Sequence, residues 1–184
     1  MRALVVYESL YGNTAAIGEA IAAALREHGV EVRDALVSKV DPAETAHVDL
    51  LVVGGPTHVH GMSRDSTRKT AANDEKNTFP EPTLQPGLRA WLQHVPEGEG
   101  RLAAAFDTRI DKSALLTGSA AKGIARRLKG RGFHLVLQPE CFLVSTENAL
   151  VGGEVEHAAA WGGTLAGHAG RTIAHDSRRP VPAR

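Results

Sequence analysis

Residues 5–14 constrain the fold of this 184-residue chain most strongly. An apolar run breaks into a turn that contains Ser9 and Gly12, and an alanine-rich helix opens at Thr14. Such a turn presents backbone N–H groups and the positive end of the helix dipole to an anion. The turn contains no lysine or arginine, which disfavours a nucleoside triphosphate site. The residues therefore predict a phosphate site built from neutral donors, with a simple turn capped by Thr14 as the alternative.

Strands and helices alternate over most of the sequence. Apolar runs predict strands at residues 2–8, 30–36, 49–54 and 101–107, and a fifth strand, split near Pro139, at 133–137 and 141–144. Helical spacing of apolar residues predicts helices at 14–28, 84–94, 119–131 and 155–170. This alternation predicts an α/β fold in which helices cover both faces of a parallel sheet.

Two segments interrupt the alternation. Residues 62–82 are polar and rich in charge and threonine, and we expect either a helix around residues 63–76 or a lid or mobile loop. Residues 171–184 are basic, contain proline and carry few apolar residues. They predict a loosely held tail after a single domain that spans residues 1–170.

Composition excludes several classes of function. Lysine plus arginine and aspartate plus glutamate number 21 each, so no net charge favours nucleic acid or an anionic membrane. Cys141 is the single cysteine, which excludes a disulfide framework or an iron–sulfur site within one chain. No apolar run reaches the roughly 20 residues of a membrane span, and no signal-peptide pattern precedes the first strand. We therefore expect a cytoplasmic protein that binds neither nucleic acid nor membrane.

Three loops at the carboxyl ends of predicted strands have the character of ligand-binding loops. They comprise residues 9–14, residues 54–61 and residues 107–118. In an open doubly wound sheet, ligands bind at these strand ends, where the strand order reverses. The three loops therefore predict one shared binding site.

The first loop also carries a family resemblance. The pattern is an apolar pair, an aromatic residue, a hydroxyl residue, a small residue and a threonine, and six residues match it in order: Val5, Val6, Tyr7, Ser9, Gly12 and Thr14. By this pattern the chain resembles the flavodoxin-like FMN-binding family over most of residues 1–170. Residues 55–68 and 118–127 look most like a bacterial group of flavodoxin-domain proteins. Gly18 departs from the alanine that is usual in the family, which loosens the predicted helix.

The resemblance implies a fold, a cofactor and a set of contacts. The implied fold is a flavodoxin-like three-layer α/β/α sandwich with a five-stranded parallel sheet in the order 2-1-3-4-5, and the implied cofactor is FMN. The residues that would cradle the phosphate are Ser9, Leu10, Tyr11, Gly12, Asn13 and Thr14. Those that would flank one side of the flavin ring are Pro56, Thr57, His58, Val59, His60 and Gly61. Those that would approach from the other side are Asp107, Thr108 and Arg109.

Alternatives remain for two of these groups. His58 and His60 alternate along an extended segment, so a metal pair and a merely exposed pair compete with flavin contact, although no cysteine or carboxylate cluster accompanies them. Arg109 is the cation expected near the ring, where it would stabilise reduced anionic flavin. Together with Asp111 and Lys112, it equally suits a solvated loop.

Three functions follow from this resemblance. The first is an electron carrier that serves a redox partner protein through bound FMN. The second is an FMN-dependent reductase that uses NAD(P)H and a quinone or nitro compound, with residues 62–82 as part of its pocket. The third is a non-redox binding or regulatory protein. Aromatic residues make up only 4% of the sequence, and the second and third loops lack the Trp and Tyr that usually sandwich the ring. No oligomeric state is predicted.

Overall fold

Strands and helices alternate in the structure, a computed structural model that describes residues 1–58, 61–75, 77, 79, 86–112 and 117–176. The strands are β1 (Arg2–Tyr7), β2 (Glu31–Leu36), β3 (Leu50–His58), β4 (Gly61–Met62), β5 (Leu102–Ile110), β6 (His134–Leu135) and β7 (Glu140–Val144). The helices are α1 (Asn13–Glu27), α2 (Asp65–Ala72), α3 (Leu88–His94), α4 (Ala120–Gly130) and α5 (Glu154–Asp176). Two short 3-10 segments, Val37–Lys39 and Pro42–His47, lie between β2 and β3.

The parallel sheet has five strand positions in the order β2-β1-β3-β5, followed by β6 and β7. β6 pairs with the start of β5, where His134 lies beside Leu102, and β7 pairs with its end, where Val144 lies beside Ile110. These two short strands therefore follow each other along one edge. The predicted order 2-1-3-4-5 is confirmed, as is the division of the fifth strand near Pro139.

Helices bury both faces of the sheet, which explains the nearly continuous apolar sequence of its strands. On one face, Val52 belongs to a cluster with Ile21 of α1 and Trp161 of α5. On the other face, Val53 belongs to a cluster with Trp91 of α3 and with side chains of α4. The protein is therefore the predicted three-layer α/β/α sandwich.

Two strands run further than their apolar sequence indicated. β3 continues to His58 because residues 54–56 keep pairing with β5. β5 continues to Ile110 because it pairs with β7 up to its end. The predicted second loop is therefore mostly strand, and the third loop begins after Ile110 rather than at residue 107.

Two helix boundaries also differ from the sequence prediction. α5 continues to Asp176, past the predicted domain end at residue 170, because Ile173 still packs against the core on the α1 face. The first residues of the predicted tail are thus helical, and residues 177–184 lie outside the described residues. α3 begins at Leu88, and residues 84–85 of the longer helix predicted there also lie outside them.

The ring of Tyr7 explains the unusual glycine of α1. A Cβ added at Gly18 would lie 2.7 Å from Tyr7 Cε1, well inside van der Waals contact. Tyr7 is only 5% exposed, so its ring has little space to move aside. Glycine in a helix costs about 1 kcal/mol relative to alanine. Here that cost permits the close approach of α1 to β1.

We expect Gly18→Ala to lower the free energy of unfolding by about 1–3 kcal/mol, because its methyl group overpacks the Tyr7 ring. The matched control is Gly170→Ala on α5, where an added Cβ meets no atom within 4 Å. That change should raise stability by up to about 1 kcal/mol. Urea unfolding followed by circular dichroism measures both. If Gly18→Ala behaved like its control, the contact with Tyr7 would be refuted.

Candidate functional site

A cavity of about 280 Å³ lies at the carboxyl ends of β1, β3, β5 and β7. Nine of the predicted site residues line it: Leu10, Tyr11, Asn13, Thr14, Pro56, Thr57, His58, Thr108 and Arg109. Each belongs to the end of a strand, to the turn that follows one or to the first turn of α1. The parallel sheet brings them together because its carboxyl ends share one edge.

One wall of the cavity was not among the predicted loops. Val144 ends β7, and Ser145, Thr146 and Asn148 after it also line the cavity. The sequence does contain a signal for this wall, since a polar Ser-Thr pair follows the apolar strand of residues 141–144. It is the same change from apolar to polar that marks the first loop.

Ser9 shapes the first loop and does not line the cavity. Its Oγ accepts hydrogen bonds from the backbone N–H groups of Gly12 (3.1 Å) and Ala15 (3.3 Å). Gly12 has a φ of +93°, in the left-handed region that glycine adopts without strain. The chain therefore turns tightly from β1 into α1, with Ser9 as an acceptor inside the turn.

The start of α1 lies on the cavity wall with unsatisfied donors. No described residue accepts a hydrogen bond from the backbone N–H groups of Tyr11, Asn13 or Thr14. Thr14 Oγ1 lies 2.7 Å from Thr108 Oγ1, and this buried bond joins α1 to β5. Asn13 Nδ2 donates to the carbonyl oxygen of Asn148 at 3.0 Å. Free N–H groups at a fixed helix N-terminus are suited to an anion.

Asp107 lies behind the cavity wall. Its side chain is fully buried, and Oδ2 accepts hydrogen bonds from Thr57 Oγ1 (3.0 Å), Ser119 Oγ (2.7 Å) and the backbone N–H of Ala121 (2.8 Å). A carboxyl group at the N-terminus of α4 also complements the helix dipole. Asp107 therefore ties the end of β5 to β3 and α4, which is a positioning role.

His58 contributes a polar atom without a partner. Its Nε2 is buried and forms no hydrogen bond with a described residue. Burial lowers the pKa of the imidazole, so the ring is neutral at pH 7. A buried nitrogen without a partner is unfavourable unless a ligand supplies one. Gly61 pairs with His58 in the β3–β4 hairpin and does not line the cavity, while Val59 and His60 lie outside the described residues.

Arg109 stands on the cavity wall as predicted, and the following loop holds its guanidinium. Nη1 donates to the carbonyl oxygen of Lys112 and lies 3.5 Å from Thr117 Oγ1. Cys141, on the neighbouring strand, is half-buried, and burial together with the charge of Asp107 raises the pKa of its thiol to about 12. The thiol is therefore protonated and unreactive at neutral pH.

A buried ion pair attaches α2 to the first loop. Arg68 Nη1 lies 3.3 Å from Glu8 Oε1, at the point where β1 becomes the loop, and both side chains are 5% exposed. Glu8 also accepts a hydrogen bond from Ser63, and Arg68 pairs with Asp65. Gly87 leaves room for this arrangement, because a Cβ there would lie 2.8 Å from Arg68 Nη2.

Two further bonds join the described part of the 62–82 segment to the loop. Asn77 Nδ2 donates to the carbonyl oxygen of Leu10 at 2.9 Å, and Tyr11 Oη donates to Asp74 Oδ2 at 3.2 Å. α2 supplies the core of the helix predicted around residues 63–76. Residues 76, 78 and 80–82 of the segment lie outside the described residues. The described part therefore packs against the loop, and Asp74 also lines the cavity.

A sequence model of the flavodoxin family matches residues 5–106, more than half of the chain. The chain belongs to the flavodoxin family. Proteins of this family bind FMN and transfer electrons, so the predicted cofactor is confirmed at the level of the family. This flavodoxin fits FMN by its own geometry as well. In its wall lie N–H donors at one helix start and a buried His58 nitrogen, none of which has a hydrogen-bond partner among the described residues.

Solved flavodoxins share the fold. A flavodoxin from the domain Archaea superposes with a TM-score of 0.64 at 20% identity, over 92% of this chain and 99% of that one. Flavodoxin 1 of Bacillus cereus gives 0.66 at 18% identity, over 91% and 99%. Rubredoxin oxygen:oxidoreductase of Desulfovibrio gigas gives 0.65 at 19% identity, over 94% of this chain but 37% of that one. No curated protein sequence matches this flavodoxin.

Two general features of the described residues bear on the site. They contain no group of three His, Cys, Asp or Glu side chains placed to share a metal ion. None of their helices is both long and apolar enough to cross a membrane. The metal alternative for the histidine pair also involves His60, which lies outside these residues.

We expect Arg68→Gln to lower the free energy of unfolding by about 3–5 kcal/mol, because Glu8 then stays buried without its ionic partner. The matched control is Arg33→Gln, which removes an exposed ion pair with Glu44 and should cost no more than about 1 kcal/mol. Urea unfolding measures both variants. Equal losses in the two would show that the Glu8–Arg68 pair contributes no more than a surface pair.

Proposed function

We propose that this flavodoxin is an electron carrier that holds FMN at the carboxyl ends of β1, β3, β5 and β7 and serves a redox partner protein. One observation carries the proposal. A single cavity combines a helix start with free N–H donors and a buried histidine nitrogen that lacks a partner. These are the two kinds of group that a phosphate and a flavin ring edge require. A cytoplasmic location remains a prediction from the sequence.

Each wall has its own part in binding. The N–H groups of Tyr11, Asn13 and Thr14 would donate to the phosphate, and the α1 dipole would favour its charge. His58 would bond to a polar ring edge and so satisfy its own Nε2. Arg109 would hold a positive charge on the opposite β5 side, where it favours a reduced, negatively charged ring. When bound, FMN supplies the capacity to accept and release electrons singly or in pairs.

The cavity volume supports a carrier rather than a reductase. About 280 Å³ lies just below the roughly 300–1,000 Å³ of ordinary ligand pockets. A reductase must seat a nicotinamide or an organic acceptor as well as the flavin ring. In addition, Asn77 and Asp74, from the segment that would supply the second pocket, are bonded to Leu10 and Tyr11 of the loop.

We expect Gly12→Asp to weaken FMN binding by about 100-fold or more, a change of roughly 2.7 kcal/mol. The new carboxylate repels the phosphate, and a φ of +93° strains any residue with a Cβ. Riboflavin lacks the phosphate, so its affinity should change by no more than about threefold. Quenching of flavin fluorescence measures both ligands.

The control for this test is Gly29→Asp, which adds the same charge at a φ of +76° near the other end of α1. It should bind both flavins like the wild type. His58→Leu should weaken FMN and riboflavin equally, since it removes a ring contact. An equal loss of both flavins in Gly12→Asp would contradict the assignment of the phosphate to this loop.

A kinetic test separates the carrier from the reductase. With FMN bound, we expect NADPH alone to reduce the protein at least about tenfold more slowly than NADPH with a flavoprotein reductase, because we expect the flavin itself to fill the cavity. Stopped-flow absorbance of the flavin band measures both rates. Fast reduction by NADPH alone, with turnover of a quinone, would instead establish the reductase.

A further inference from the structure

Arginines from two helices converge on the β3–β4 hairpin. Arg89 of α3 donates from Nε to the carbonyl oxygen of Ser63 (2.9 Å) and from Nη2 to that of Met62 (2.8 Å). Arg127 of α4 approaches the same hairpin. A Cβ added at Gly123 would lie 3.5 Å from Met62 Cε and 3.8 Å from Arg127 Nη1, so both groups flank one point. Met62 therefore accepts a hydrogen bond from Arg89 through its carbonyl and has its side chain near the Arg127 guanidinium.

A third arginine completes the group. Arg64 follows Met62 by two residues, is exposed, and stands at the N-cap of α2. We refer to Arg64, Arg89 and Arg127 as the arginine cluster. Exposed Lys122 and Arg126 on α4 add positive charge to the same helix that carries Arg127.

The cluster lacks a negative partner within the described part of the chain. None of the ion pairs found there involves Arg64, Arg89 or Arg127. Glu8 and Asp65, the acidic residues beside the hairpin, both pair with Arg68. Burial, followed by the like charges of Arg127 and Arg64, lowers the pKa of Arg89. The charge of Glu8 opposes this shift. Among the described residues, no ion pair neutralises the three cations, which leaves them available to an external anion.

The arginine cluster lies beside the proposed flavin site. His58 lines the cavity and pairs with Gly61 across the hairpin. Arg89 Nη2 would lie 3.6 Å from a Cβ added at Gly61. One hairpin therefore connects the cavity wall to the cluster. A molecule that neutralises the cluster contacts the protein next to the bound cofactor.

We propose that the arginine cluster is a docking surface for the acidic face of the redox partner protein. This proposal rests on the proposed carrier function. The net charge of the chain is zero, so attraction of a partner depends on local charge rather than on the molecule as a whole. Guanidinium groups match carboxylates in geometry, and opposite charges speed encounter and fix orientation.

A protein surface fits the arginine cluster better than the phosphate of a nicotinamide dinucleotide does. Such a phosphate is normally bound in a concave pocket. Arg64 precedes α2, Arg89 and Arg127 belong to α3 and α4, and none of the three lines the cavity. Two donor nitrogens of Arg89 are already bonded to backbone carbonyls. What remains is a broad positive surface, which several carboxylates of one partner can contact.

The first test needs no cofactor. Arg64→Gln/Arg127→Gln removes two charges and leaves the bonds of Arg89 intact. Its control, Arg33→Gln/Arg171→Gln, removes two charges from β2 and α5, on other parts of the surface. The probe is fluorescein-labelled polyglutamate, whose anisotropy is followed at low ionic strength on the flavin-free protein. We expect roughly tenfold weaker binding in the cluster variant and no more than about a twofold change in the control.

The second test uses electron transfer. The FMN-loaded, chemically reduced protein gives one electron to each ferricyanide anion or, in the paired experiment, to each hexaammineruthenium(III) cation. In the wild type we expect the ferricyanide rate to fall as salt increases and the ruthenium rate to rise. The cluster variant should lower the ferricyanide rate about threefold or more at low salt, while the control variant leaves it unchanged.

These tests separate the two proposals. Equal polyglutamate binding by the cluster and control variants would overturn the docking surface, whether or not FMN binds. Displacement of polyglutamate by micromolar adenosine 2′,5′-bisphosphate would also overturn it and assign the cluster to a dinucleotide phosphate. A protein that binds polyglutamate through the cluster but does not bind FMN would instead refute the carrier function.

Discussion

The hydrogen bonds that Ser9 Oγ accepts from Gly12 and Ala15 hold the turn on which the rest of the site depends. A phosphate loop without lysine or arginine binds through the direction of its N–H groups, so its affinity for phosphate depends on the conformation of the turn. Other contacts keep that shape. Thr14 is bonded to Thr108 on β5, and the carbonyl of Leu10 is bonded to the side chain of Asn77. Each neighbouring element therefore stabilises the direction of the donors.

The first loop, residues 9–14, contains no lysine or arginine, whereas several arginines lie around it. Arg68 forms an ion pair with Glu8, where β1 ends, and so fixes the position at which the loop begins. Arg109 carries its charge on the cavity wall. The arginine cluster carries charge that no described carboxylate neutralises. A chain with a net charge of zero thus has a distinct local pattern, in which the proposed phosphate loop, residues 9–14, has no charged side chain and positive charge is concentrated beside the β3–β4 hairpin.

Period and apolar content were enough to predict the layers, because a buried parallel strand has few alternatives to an apolar sequence. The strand order came from the family resemblance of the first loop. The first loop was predictable for a similar reason, since glycine and hydroxyl residues between a strand and a helix have a specific role. The lengths of β3 and β5 were not predictable in this way. Apart from Pro56 and Ile110, their last residues are glycine or polar, and pairing with neighbouring strands makes them strand.

Long-range contacts account for the other differences. The buried bonds of Asp107 reach Thr57 and α4, which no local pattern reveals. The glycine at position 18 looked like a weak point of the helix, whereas the structure shows it against the Tyr7 ring. The ten residues 5–14 predict that an anion is held, and their neighbours in the fold decide how firmly.

The β3–β4 hairpin contributes both to the cavity proposed for FMN and to the arginine cluster proposed for the partner protein. His58 faces the cavity on one side of the hairpin, and Met62 is bonded through its carbonyl to Arg89 on the other. His58 Nε2 has no hydrogen-bond partner among the described residues, and none of the ion pairs found among them includes Arg89. A buried polar atom without a partner, or a charge without a counter-charge, lowers the stability of the fold when no ligand satisfies it. Two such defects on one hairpin, one toward a cofactor and one toward solvent, are what a carrier needs when its cofactor and its partner must meet within a short distance.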